Sequence, residues 1–228
     1  MIPNSNDYYA FFDVDETIIY PKSMFSFLKF YCIKKTLKFN FSVIIKYIYF
    51  TFTMKSLAKK NTPREETNKF YYKFYKGYRF SELTKYGHEW FQYLLNKGHF
   101  FNEKVLQEIQ EHKKNGAKIV LISGSFFPCL DPIAKHVCAD RIECTTLEVI
   151  HDICTGNILE NPVIGQEKAN KIKKILLENN TSNNESCFCY GDHISDLPML
   201  KLVGNPRVIS NCQQLISYAK EHKWTIMP

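Results

Sequence analysis

Four short apolar runs, each bounded sharply by polar residues, set the rhythm of the chain. Tyr8 to Phe12 stops at acidic residues, Ala117 to Ile122 stops at Ser123-Gly124-Ser125, Cys187 to Tyr190 stops at Gly191-Asp192, and Arg207 to Ile209 follows the turn Gly204-Asn205-Pro206. Continuous apolar runs of this length predict strands buried on both faces, as in a parallel sheet. Helical periodicity lies between them. Asn102 is placed to cap a helix over 103–115 with Val105, Leu106 and Ile109 on its apolar side and Gly116 as the C′ residue. A helix over 166–178 turns Ala169, Ile172, Ile175 and Leu176 inward. Strands alternating with helices predict right-handed βαβ units and an α/β fold: an open, mostly parallel sheet with helices on both faces.

Residues 22–100 break this rhythm. They are aromatic and Lys-rich with helical spacing, and Thr62-Pro63-Arg64-Glu65 has the N-cap, N1 proline and N3 acid of a helix start. The pattern predicts a helical insert after the first core strand, with residues 1–21 and 101–228 forming the core. Within the insert Phe41 to Met54 is strongly apolar, but Lys46 interrupts it and it is shorter than the roughly 20 residues a membrane span requires. The expectation is a buried helix of the insert rather than membrane contact.

Charge sharpens the division. Residues 22–100 hold 16 Lys and Arg against 4 Asp and Glu, an excess of +12, whereas the remainder holds 14 against 19. Segregated charge points to two units with different tasks rather than to a generally basic nucleic-acid binder. The polar start Met1–Asp7 does not read as a secretory leader, so the expected compartment is the cytoplasm. The eight cysteines contain no CxxC pair and read as reduced, mostly buried thiols, with Cys187 and Cys189 on one face of a strand.

In an open parallel sheet ligands sit beyond the carboxyl ends of the strands. Asp13 and Asp15 follow the first strand, Ser123 and Gly124 the second, and Asp192 and Asp196 the third, so three loops distant in sequence converge with four carboxylates. Such a cluster is costly unless a hard cation holds it, and Mg²⁺, which takes a few carboxylates plus water and phosphate oxygens, suits it. Lys168, near the start of the helix after Gly165, adds a positive charge. Each residue has a plainer reading: Asp15 a turn cap, Ser123 a polar turn, Lys168 one of several surface lysines, Asp196 a helix N-cap, His193 a loop residue.

These motifs together resemble the haloacid dehalogenase superfamily, in its phosphoserine-phosphatase-like branch. Asp13-Val14-Asp15-Glu16-Thr17 is similar to that family's DxDx[TV] motif, Ser123 to its second, Lys168 to its third, and Gly191-Asp192-His193-Ile194-Ser195-Asp196 to its fourth, GDxxxD. The resemblance covers the whole chain and implies a Rossmann-like core, with the insert as a type-1 cap. It implies a Mg²⁺-dependent phosphomonoester hydrolase in which Asp13 is the nucleophile, Asp15 the acid and base, and Ser123, Gly124 and Lys168 the phosphate-binding groups. Mg²⁺ is then held by Asp13, the backbone carbonyl of Asp15 and Asp192, with Asp196 in direct or water-mediated support.

In one respect the chain departs from phosphoserine phosphatases: the Glu they carry nine positions after the nucleophile is Lys22 here. With the basic insert, this points to a small substrate carrying extra negative charge, for which Lys22, Arg64 and Arg79 are the candidate contacts, surface placement being the alternative for the two arginines. The aromatics Phe25, Phe27, Tyr71, Tyr72, Phe74, Tyr75 and Trp90 read as cap core. A second reading has the basic cap docking on a phospholipid or carrier-bound substrate, through peripheral membrane or acidic carrier-protein contact. Nucleic acid is not an expected partner, and oligomeric state is not set by any motif.

Overall fold

The computed structural model describes residues 8–37, 41–178 and 184–227. The polar start at 1–7 lies outside them. The chain runs β1 (Tyr9–Phe12), α1 (Ser23–Leu37), α2 (Ser42–Lys59), α3 (Arg64–Tyr72), α4 (Phe80–Lys97), α5 (Glu103–Lys114), β2 (Lys118–Phe126), α6 (Phe127–Val137) and β3 (Arg141–Thr145). It continues through a hairpin, β4 (Leu147–Ile150) and β5 (Ile153–Ile158), then α7 (Gln166–Glu178), β6 (Phe188–Gly191), the single turn α8 (Leu197–Leu200), β7 (Asn205–Ile209), α9 (Gln213–Glu221) and β8 (Thr225–Met227).

Six strands form one sheet in the order β3-β2-β1-β6-β7-β8, with every pairing parallel. The period of two along the strands divides the core. Ala10, Phe12, Ile119 and Leu121 pack with Val105 and Ile109 of α5, Leu130 and Ile133 of α6 and the insert. Phe11, Val120, Ile122 and Cys189 pack on the opposite face with Ile172 and Ile175 of α7, Met199 of α8 and Leu215 of α9. Both faces are covered, which is why these strands are apolar at every position rather than at alternate ones.

The chain order reverses at β1, which lies between β2 and β6, so the crevice beyond its carboxyl end is the natural ligand position. Immediately after β1 the backbone closes a tight turn, with the N–H groups of Ile18 and Ile19 both donating to the Val14 carbonyl. The segments entering and leaving the insert pair with each other: Tyr20 N–H donates to the Phe100 carbonyl and Asn102 N–H to the Ile18 carbonyl. Four helices therefore leave and rejoin the core at one place.

Several local expectations are corrected. The second strand does not stop at Ile122 but continues through Ser123-Gly124-Ser125 to Phe126. Pro63, not Thr62, occupies the N-cap position of α3. Asn102 sits at the N-cap of α5 without a side-chain cap bond. The β4–β5 hairpin was not foreseen; it joins the insert, where Gly77 N–H donates to the Cys154 carbonyl and Cys154 N–H to the Tyr78 carbonyl. The largest correction concerns α2. Only Val43 and Phe50 are buried on it, so the helix lies against the insert along one edge instead of inside it. Among the described residues no helix is long and apolar enough to cross a membrane.

Candidate active site

The carboxyl ends of β1, β2 and β6 and the first turn of α7 converge on a cavity of about 340 Å³, roofed by α1, α2 and α3. At its floor Lys168, three residues into α7, is buried and reaches two carboxylates at once: its Nζ lies 2.8 Å from Asp13 Oδ1 and 2.8 Å from Asp196 Oδ1. Asp13 is held in turn by the main chain, since its N–H donates to the Tyr190 carbonyl and its Oδ1 accepts from Val14 N–H at 2.8 Å. The surface-lysine reading of Lys168 is excluded by this burial.

Asp13, Asp192 and Asp196 each offer an oxygen, and these lie within 4.8 Å of one another. Among the described residues Lys168 alone offsets them at the floor, and the cost shows in the acidities of Asp13 and Asp192. Burial first, and then the neighbouring Asp196 and Asp192 charges against the pull of Lys168, raises the Asp13 pKa well above the usual carboxylate range. Burial and the Asp196 charge push Asp192 up to about 6. Asp13 and Asp196 drive Lys168 upward despite its own desolvation, so it stays charged. Hard oxygen donors, an excess of negative charge and carboxylates that resist ionising are the conditions that a Mg²⁺ ion relieves, so the residues fit the metal.

Asp15 behaves differently. Its Oδ1 is buried without a hydrogen-bond partner. Burial pushes its pKa up to about 6, opposed chiefly by Ser23. A carboxyl poised there exchanges a proton near neutral pH, and its hydrogen bonds from the backbone and side chain of Ser23 also tie it to the start of α1.

The Ser123-Gly124-Ser125 loop is pinned from several directions. Ser125 N–H donates to Ser123 Oγ at 3.1 Å, and Ser23 Oγ donates to Ser125 Oγ at 2.8 Å. The Gly124 carbonyl accepts from Asn68 Nδ2, Tyr72 Oη and Thr145 Oγ1 at 3.2, 2.8 and 3.0 Å. A side chain at Gly124 would press on Ile164, its Cβ falling 2.8 Å from Cγ1. With its carbonyl held from three sides, the loop is fixed in place at the cavity, where Ser123, Gly124 and Ser125 all line the wall.

As residues that hold the site in place, Asn68, Tyr72, Ser23, Ser125 and Thr145 are not indicated by the sequence motifs. For α3 a signal existed: Arg64, Asn68 and Tyr72 recur every four residues and so share one helix face, the one turned to the core. Arg64 Nη1 donates to His193 Nδ1 at 2.9 Å and to Ser195 Oγ at 3.0 Å, joining α3 to the loop that carries Asp192. His193 is a capping residue: Ser195 N–H donates to its Nδ1, and its own N–H donates to Asp196 Oδ2. Asp196 occupies the N-cap position of α8 without making a cap bond there; its carboxylate serves Lys168 and His193 instead.

Lys22 lines the cavity but is largely exposed, 3.2 Å from Glu16. Arg79 is not brought to the site. It pairs with Asp152 at 3.6 Å and bridges through its backbone to Ile153, because the unforeseen hairpin captures the start of α4. Of the predicted cap-core aromatics, Phe27, Tyr71, Tyr72, Phe74, Tyr75 and Trp90 are buried, but Phe25 is exposed at the cavity wall.

Residues 10–201 match the sequence profile of the haloacid dehalogenase-like hydrolases, and the chain belongs to that family. Within it the chain falls in the phosphoserine-phosphatase-like branch and is a phosphatase, a hydrolase of phosphate esters. It is 24% identical to the inhibition of morphological differentiation protein of Streptomyces azureus, over 96% of this chain and 77% of that one. It is also 24% identical to the phosphoserine phosphatase SerB1 of Mycobacterium tuberculosis, over 95% and 69%. Among solved structures, a protein of unknown function from Bordetella pertussis superposes with a TM-score of 0.84 at 17% identity, covering 98% of this chain and 99% of that one. A phosphoserine phosphatase solved as a phospho-aspartyl intermediate analogue superposes with a TM-score of 0.65 at 17% identity, over 97% and 92%.

Proposed function

We propose that this phosphatase is a Mg²⁺-dependent phosphomonoester hydrolase acting on a small, acidic phosphorylated metabolite through an aspartyl-phosphate on Asp13. The observation that carries the reading is the buried Lys168 ammonium bound to Asp13 Oδ1 at 2.8 Å inside a set of three carboxylates. Asp13, Asp192 and Asp196, with the Asp15 backbone carbonyl, would hold the metal. When bound it supplies positive charge that lets an anionic phosphate approach an anionic nucleophile.

The protein groups divide the remaining work. Lys168 and the Ser123 hydroxyl bind phosphoryl oxygens, aided by N–H groups of the Gly124 turn. An oxygen of Asp13 bonds to phosphorus as the bond to the leaving oxygen breaks, and Asp15, protonated below about pH 6, gives that oxygen its proton. Asp15, now a carboxylate, takes a proton from water; the water oxygen bonds to phosphorus and the bond to Asp13 breaks. The insert over 22–100 acts as a cap that excludes bulk water, Arg64 tying it to the His193 loop.

A cavity of about 340 Å³ suits a small substrate, and Lys22 and Arg64 at its wall favour one with a second anionic group. Arg79, held by Asp152, takes no part. We place the enzyme in the cytoplasm, consistent with eight free thiols. A panel of phosphorylated metabolites assayed with Mg²⁺ tests the reading. Turnover of a small acidic phosphomonoester that needs Mg²⁺ and disappears in Asp13→Asn is expected. Full Mg²⁺-dependent activity in Asp13→Asn refutes it.

A further inference from the structure

We infer that the outer face of α2 docks on an anionic lipid surface. Along this helix Ile45, Ile48, Tyr49 and Phe52 recur at intervals of three and four and therefore form one stripe, with exposures of 73, 48, 69 and 70%. The opposite face is apolar too: Val43 and Phe50 are buried there, Phe50 against Phe70, Tyr71 and Phe74. An apolar stripe opposite a buried face is covered in a stable setting, by protein or by lipid. Among the described residues nothing covers the outer face of this one. Ile33 and Leu37 extend the exposed apolar surface at the end of α1 that leads into α2. Contiguous patches of this kind mark contact with a protein or a membrane.

Charge decides between those partners. From Thr17 to Arg64 the sequence contains nine lysines and not one Asp or Glu. Lys55 and Lys59 are exposed on the turns of α2 that follow Phe52. A symmetric contact between two copies would set this surface against itself, lysines facing lysines with no acid in the segment to pair them. An anionic bilayer supplies the missing negative charge at its headgroups and accepts the aliphatic and aromatic stripe just beneath them. The geometry is that of a helix lying in the interface, since no described helix can span a membrane. The docked part is also the cavity roof: Phe25 of α1 and Met54, on the inner face of α2, line the wall over Asp13. Docking would thus bring the mouth of the site to the lipid surface without requiring that hydrolysis occur.

Co-sedimentation of the full chain with phosphatidylcholine vesicles, alone or mixed with phosphatidylglycerol, tests the inference. At least tenfold more protein is expected on the anionic vesicles, falling as salt is raised. The double variant Ile45→Glu, Phe52→Glu should lose tenfold or more of that binding, and Lys55→Gln, Lys59→Gln severalfold, while both hydrolyse a soluble aryl phosphate as the parent does when vesicles are absent. Asp13→Asn should bind vesicles normally, so failure of the hydrolytic reading leaves the docking result readable. Equal binding to neutral and anionic vesicles, or no binding to either, overturns the inference. So does a dimer in sedimentation velocity that Ile45→Glu, Phe52→Glu dissociates, which would make a second copy the occupant.

Discussion

At the carboxyl end of the sheet Asp13, Lys168, Asp192 and Asp196 are buried, whereas on the outer face of α2 Ile45, Tyr49 and Phe52 stand in solvent. Both regions invert the usual distribution of side chains, and both inversions cost stability. The difference lies in how the cost is met. At the site the misplaced groups partly satisfy one another, Lys168 bridging Asp13 and Asp196, and what remains is a surplus of negative charge suited to a cation. On α2 the exposed groups have no covering partner among the described residues, and the inferred remedy is a lipid surface. A second comparison, between α2 and α4, makes the point about packing. Both are 18 residues long and in the same insert. Yet α4 presses against α6 so closely that a Cβ on Gly87 would collide with the Pro128 carbonyl oxygen, while α2 touches its neighbours along one edge.

Each side of the comparison can be broken by substitution. The largest effect is expected at Asp13: replacing it with Asn should lower kcat by about 10⁴-fold or more while leaving the fold intact, read by steady-state assay and circular dichroism. Lys168→Met should reduce kcat by about 10²–10³-fold. It should also destabilise the metal-free protein by about 3–5 kcal/mol, because Asp13 and Asp196 lose the charge between them. Urea melts with and without Mg²⁺ would register the loss and its partial recovery.

Asp15 separates substrates by leaving group. Above about pH 6 it is ionised and cannot donate, so kcat for an alkyl phosphate should fall as pH rises through 6, and less so for an aryl phosphate, whose leaving group needs no proton. Asp15→Asn should remove most of that difference. The same direction governs stability. Asp15 and Asp192 titrate near 6 in the fold and near 4 in the unfolded chain, so between those values the fold holds more protons. Stability of the metal-free protein should therefore be greatest below this window and decline as pH rises through it, and thermal melts across pH 4 to 7 check the sign.

The smallest effects lie on the packing side. Gly87→Ala should cost about 1–3 kcal/mol by forcing α4 from α6, whereas Phe52→Ser should change stability by about 0.5 kcal/mol or less. Equal losses for the two in urea melts would mean that α2 is packed after all.

The sheet and its candidate site were more legible than the insert, for physical reasons. A buried parallel strand must be apolar throughout and must end where the ligand site begins, so Asp13, Ser123 and Asp192 announce themselves as polar residues closing apolar runs. Lys168 was harder to see, since burial of one lysine among Lys171, Lys173 and Lys174 depends on helix rotation, which is a tertiary matter. For the insert, helical spacing revealed helices but not what they face. Phe41 to Met54 has the composition of a buried helix, and only the placement of α2 on the rim shows that half of it is uncovered. Arg79 was misplaced because the β4–β5 hairpin that captures it lacks a strong turn signature; its turn residues His151 and Asp152 adopt positive φ without glycine.

The central claim, that Asp13 carries the phosphoryl group, is tested most directly by acid-quenching the enzyme during turnover of a substrate bearing radiolabelled phosphate and mapping the label by peptide digestion. The account predicts an acid-stable, hydroxylamine-labile label on the peptide containing Asp13, absent from Asp13→Asn. Rapid turnover with no protein-bound label at any quench time, or label on another residue that persists in Asp13→Asn, would contradict it.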